Sequence, residues 1–147
     1  MAEPVTPDEW LPVLTKRLDE ERPRIDLLRS YSNGNAPLPE AGQNIRAAWS
    51  AFQRKARTNL GELIVEAVAE RIICNALMVP GSAGDDNVAR QVWSENRMPV
   101  ALGDTVRDML TVGVGYMGVG VLDGRPVITS EKPEYMYAAT DPLRPGV

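Results

Sequence analysis

Apolar positions recur at helical spacing through the first three quarters of the chain and at strand-like spacing after that. Thr6 is placed to cap a first helix, with Pro7 at its first position and Glu9 three residues after the cap, a capping-box pattern. Trp10, Leu11, Leu14 and Leu18 follow on one stripe, and Pro23 is expected to break or kink the run before Ile25, Leu27 and Leu28 resume it. The spacing therefore predicts a bent helix over about 7–29. Tyr31 to Asn35, with Pro37 and Pro39, reads as a linker. A second helix is predicted over 43–58, with Ile45, Ala48, Trp49 and Phe52 on one stripe and an interruption at Asn59 and Gly61. A third is predicted over 62–77. Its Leu63, Ile64, Val65, Val68, Ile72, Ile73 and Leu77 occupy more than one stripe, the pattern of a central, buried helix.

Ser82 to Asp86 is a polar turn, from which Asp85 or Asp86 is expected to cap a fourth helix over 85–97, ended by Met98-Pro99. A fifth helix, 102–112, is expected to turn Val106, Met109 and Leu110 inward. The texture then changes to a run rich in Gly and Val, Val114 to Leu122. Asp123-Gly124 separates it from Arg125-Pro-Val-Ile-Thr129, which predicts a β-hairpin whose second strand is short or at an edge because of Pro126. Glu134 to Ala139 is a candidate third strand, and Asp141 to Pro145 a turn or linker. The fold class is α+β: a mainly helical region over 1–112, then a glycine-rich hairpin region and terminal linker over 113–147. The two form one domain or part of a larger subunit.

Length and composition sharpen this picture by exclusion. A chain of 147 residues, 44% hydrophobic and 24% charged, is of ordinary globular make-up, long enough for one sizeable core. No apolar run approaches the roughly 20 residues of a membrane span, and Glu3, Asp8 and Glu9 stand where a signal peptide would be basic. Synthesis in the cytoplasm is expected. There is no histidine, and the one cysteine, Cys74, has no partner for an internal disulfide. The net charge of -4 opposes wholesale phosphate binding, but residues 41–60 hold Arg46, Arg54, Lys55 and Arg57 with no acid. This basic island reads either as a solvated helix face or as a contact for an acidic surface or a phosphate backbone.

Candidate chemistry is sparse. Gly113, Gly115 and Gly118 spell G-x-G-x-x-G, yet a dinucleotide site needs a strand before the glycines and a helix after them, and here the order is reversed. The glycines are expected to end a helix and allow close backbone packing. Cys74 is expected to be a small buried hydrophobe on a helix face. Asp85, Asp86, Glu131 and Glu134 are expected to cap helices or be solvated. No catalytic, cofactor-binding or metal-ligating set is assigned. Trp10, Trp49, Phe52 and Trp93 are expected in the core, and any of them left exposed would mark an interface.

An ordered series of motifs resembles the N-terminal part of portal proteins of tailed double-stranded DNA bacteriophages, the long-tailed type of actinobacterial phages and prophages. The series runs Trp10-Leu11, Leu27-Leu28-Arg29-Ser-Tyr31-Ser-Asn-Gly34 with Leu38-Pro39, then Trp49-Ser-Ala-Phe52 through Asn59. It continues with Leu63 to Arg71, Val92-Trp93-Ser-Glu-Asn96, Gly113 to Met117 and Ala138 to Pro142. Where the family shows a glycine and an aromatic after the third helix, this chain has Asn75-Ala-Leu-Met-Val79. The resemblance implies a non-enzymatic subunit of a ring, usually of twelve, at one capsid vertex, through which DNA is packaged and ejected. It implies as partners other portal subunits, the terminase large subunit, head-tail adaptor and capsid or scaffold proteins, and the DNA passing through. It implies no cofactor and no membrane, and it places the mature protein in the virion.

On this reading the chain is expected to be the wing-region piece of a longer subunit, a monomer or weak small oligomer when isolated. It should bind duplex DNA only weakly and in a salt-sensitive way. Trp49, Arg54, Lys55 and Arg57 are the expected subunit or DNA contacts. The rival readings are a small helical protein-interaction module and, more remotely, a nucleotide-binding enzyme.

Overall fold

The computed structural model describes residues 6–37, 49, 51–52, 55, 58–78 and 86–140. Among them are four helices, α1 (Pro7–Ser32), α2 (Leu60–Ala69), α3 (Asn87–Glu95) and α4 (Met98–Val112), and two strands, β1 (Tyr116–Leu122) and β2 (Arg125–Glu131). This is the α+β arrangement that the periodicities predict. Most of the 43–58 helix, the 82–85 turn, Leu38-Pro39 and the 141–145 linker lie outside the described residues, although residues 49, 51, 52 and 55 are helical.

Helix α1 starts as predicted, with the Thr6 backbone N–H donating to the Glu9 carboxylate at 3.2 Å. It then runs unbroken through Pro23 and continues to Ser32, taking in the start of the predicted linker. Proline removes one backbone hydrogen bond, but the i,i+3 pairs Arg22–Asp19 and Arg24–Glu21 flank it. Burial of Ile25 and the anchoring of Arg29 then hold the following turns in place.

Helix α4 organises the rest, since it touches the three other helices described and β2. Met98, Val106 and Val112 are its buried apolar residues, joined in the core by Ile25 and Ala69. Here the sequence expectation needs two corrections. Met98-Pro99 does not end α3: it opens α4, because proline suits the first helical turn as well as it stops a preceding one. Met109 is exposed, and Leu110 is only half-buried. The predicted capping of α3 by Asp86 is observed, with its carboxylate accepting from the N–H groups of Val88 at 2.8 Å and Ala89 at 2.9 Å.

Helix α4 ends at Gly113, whose φ of 88° lies in the left-handed region. A Cβ on Gly115 would sit 2.5 Å from the Thr105 carbonyl oxygen, so only glycine lets the chain turn back against α4. Two members of the G-x-G-x-x-G pattern thus have backbone roles. The hairpin forms as predicted, antiparallel with Val119 opposite Ile128, and Asp123 and Gly124 both have positive φ at its turn. The hydroxyls of Thr105 and Ser130 share a 2.8 Å hydrogen bond that fixes β2 to α4. The expected third strand over 134–139 is absent: Pro133 is buried in a turn, and Glu134 is drawn to Arg29 instead of to a strand edge.

Candidate subunit-contact surface

Helix α2 is the site of the largest departure from expectation. It begins at Leu60, capped by Asn59, whose side chain accepts from the Glu62 N–H at 3.3 Å. It stops at Ala69, so the predicted turns through Leu77 have no helical structure. Its inward face is narrow and small: Gly61, where an added Cβ would lie 3.2 Å from the Tyr31 carbonyl oxygen, then Val65 and the buried Ala69, one helical turn apart. Its large residues, Leu60, Leu63, Ile64 and Val68, fall on one stripe beside that face, and all are exposed, Leu63 by 63% and Ile64 by 64%. The helix is therefore not central. Ile72, expected in the core, is 42% exposed, and Ile73 and Met78 are exposed after it. Beyond Ala69 no element among the described residues buries a further turn, and apolar content without a packing partner does not hold a helix.

Aromatic residues expected in the core repeat the pattern. Trp49 and Phe52 are both exposed, their rings stacked with centroids 5.9 Å apart. Lys55 is helical and exposed, while Arg54 and Arg57 lie outside the described residues. Trp10 and Trp93 are half-buried. Cys74 is also exposed, because the segment that carries it is not part of a buried helix. Contiguous exposed apolar stripes of this kind mark protein–protein contact surfaces.

The body that presents these residues is held by a charge cluster that the sequence reading missed. Asp108 on α4 is 2% exposed. Arg29 of α1 donates to it at 2.6 Å and to Glu134 at 2.6 Å, and Lys132 donates to Asp108 at 3.1 Å. One buried carboxylate thus ties α1, α4 and the segment after β2 together. The hydrogen bond from Arg29, followed by opposing burial, sets the Glu134 carboxyl below its ordinary pKa, and the same bond raises that of Arg29. On the more exposed side, Arg107 of α4 reaches Glu66 of α2 at 2.7 Å, a pair that orients α2 but is worth little in open solvent. The signal available in the sequence was an acid within the apolar face of α4, one helical turn before Val112.

Among the described residues no group of acids and cysteine could hold a metal ion, and no helix is long and apolar enough to cross a membrane. Residues 12–144 match the family model described as phage portal protein, SPP1 Gp6-like. No curated protein matches the chain.

Proposed function

The chain belongs to the phage portal protein family, and from that premise we propose that it acts as the wing-region part of a portal subunit. In that role it joins a ring of identical subunits, of the usual twelve, at one capsid vertex, through which double-stranded DNA is packaged and later ejected. The observation that carries the reading is the family match over 133 of 147 residues, from 12 to 144. The family is a structural one of the virion, which accords with a role in assembly and not in catalysis. The motif series supports a finer placing among long-tailed phages of actinobacterial hosts. Two units, 1–112 and 113–147, divide the work: the helices offer contact surface, and the hairpin region leads on from them.

The neighbouring subunit docks on exposed apolar residues, with the α2 stripe and Trp49 as anchors, since aromatic and aliphatic residues dominate such contacts. Arg54, Lys55 and Arg57 meet an acidic surface of that neighbour or the DNA backbone. The terminase large subunit, a head-tail adaptor and capsid or scaffold proteins are the further partners, each engaging the assembled ring. The test is immunogold labelling of particles from a producing culture with antibody raised against this chain. Label at a single vertex, and heads without DNA when the coding region is deleted, are expected. Label spread over the capsid or confined to the tail would refute the proposal.

A further inference from the structure

The two edges of the hairpin are treated differently. The amide side chain of Asn96, at the end of α3, donates to the Pro126 carbonyl at 3.1 Å and accepts from the Ile128 N–H at 2.8 Å, so it stands in for a neighbouring strand along β2. Pro126 has no N–H to leave unpaired on that edge. The outer edge of β2 is thereby capped between Pro126 and Ile128. Because Pro126 and Ile128 face outward, their neighbours in the sequence pair inward, and the register makes Gly118–Thr129 and Gly120–Val127 hydrogen-bonded pairs. It follows that Met117, Val119 and Val121 direct their backbone N–H and C=O groups away from β2. These groups have no hydrogen-bond partner among the described residues.

That edge lacks the usual protections. Tyr116-Met-Gly-Val-Gly-Val-Leu122 holds no charge and no proline, and Val119 and Val121 are 75% and 77% exposed. The segment is also symmetric about Val119. In an antiparallel pairing with itself, Val119 faces Val119, Gly118 faces Gly120, Met117 faces Val121 and Tyr116 faces Leu122. The residues opposed in hydrogen-bonded positions are then Met117, Val119 and Val121, the three whose backbone groups have no partner among the described residues. No like charges meet, and glycine lies opposite glycine.

We infer that β1 pairs with β1 of a second copy of this chain across a two-fold axis at Val119, giving a four-stranded sheet in the order β2-β1-β1-β2. Its outer edges are the two β2 strands, each capped by Asn96 from Pro126 to Ile128 and interrupted by the proline, which opposes further strand addition, so association stops at two. The contact presents the same patch on both partners. It is therefore distinct from the head-to-tail contact that closes a ring of identical subunits, and it stands whether or not the portal reading holds.

The experiment is a sedimentation series over a wide concentration range. The wild-type chain should pass from monomer to dimer and no further. Val119→Lys places two ammonium groups against each other at the axis and should weaken the dimer roughly tenfold or more, with an unchanged far-ultraviolet circular dichroism spectrum because the side chain is solvent-facing. Val119→Glu should do the same alone, while an equimolar mixture of the two variants should recover a dimer. Lys16→Gln, on the exposed face of α1, should keep it. A wild type that stays monomeric throughout, a Val119→Lys dimer of undiminished strength, a mixture that does not recover, or a dimer lost with Lys16→Gln alone would each overturn the inference.

Discussion

Helices α2 and α4 are both rich in apolar residues, and both contact the same body, yet they use those residues in opposite directions. Helix α4 buries Met98, Val106 and Val112 and even an acid, Asp108, and the three other described helices lean on it. Helix α2 buries little beyond Ala69 and turns Leu60, Leu63, Ile64 and Val68 to solvent. Composition does not separate them. What does is the presence of a partner: α4 has its partners within the chain, and the stripe of α2 has none among the described residues. Substitutions in α4 and its clasp should therefore be read out in folding, and substitutions in the α2 stripe in assembly.

The largest effect belongs to the clasp. Arg29→Met would leave the Asp108 carboxylate buried with only Lys132, itself half-exposed, to balance it. Breaking one partner out of a buried pair costs about 3–5 kcal/mol, and the remaining lysine puts the expected loss near the lower end, about 3 kcal/mol. Urea unfolding followed by circular dichroism measures it. A loss below about 1 kcal/mol would mean that the cluster does not hold α1 to α4.

A smaller effect comes from acid. The Glu134 carboxyl has its pKa lowered in the folded protein, chiefly by the Arg29 hydrogen bond. Its contribution is complete above the unfolded value, about 4.3, and is lost as the pH falls through the lower folded value. The raised pKa of Arg29 adds no limb at working pH, because that residue stays charged below both of its values. Wild type should therefore lose stability between neutral pH and about pH 3 by more than Glu134→Gln, whose side chain no longer titrates. Parallel losses in the two proteins would remove Glu134 from the account.

These elements also mark how much was legible in the sequence. The start of α1, the Asp86 cap and the hairpin at Asp123-Gly124 were legible because each is set by residues within a few positions of one another. The exposure of α2 was not, since periodicity identifies an apolar face without saying what covers it. Ile72, Leu63 and Val106 look alike in the sequence, and only the third is buried. The charge cluster was illegible for a different reason. Arg29 lies 79 residues from Asp108 and 105 from Glu134, and no local spacing announces such a meeting. The proline positions misled where one residue serves two purposes, as Pro99 does in opening a helix when it could have closed one. Trp49, expected from sequence in the core, is exposed, as is Lys55, and the α2 stripe was likewise assigned to the interior.

The smallest expected effect on folding is the most informative about assembly. Leu63→Ser replaces a side chain that is 63% exposed and on the outward stripe of α2. A buried leucine truncated in this way costs about 2–5 kcal/mol, whereas an exposed one should change stability by no more than about 0.5 kcal/mol. If the stripe is covered by a neighbouring subunit, the same change removes an anchor from the centre of an interface and lowers incorporation into particles at equal protein level. Ile72→Ala is the internal control, since it also lies outside the core and should cost less than about 1 kcal/mol. The two measurements, unfolding and the yield of labelled particles, separate the alternatives. A loss of about 2 kcal/mol or more in Leu63→Ser would return α2 to the interior of the chain and erase the contrast with α4. Unchanged stability together with unchanged incorporation would leave the stripe exposed but without a role in the ring.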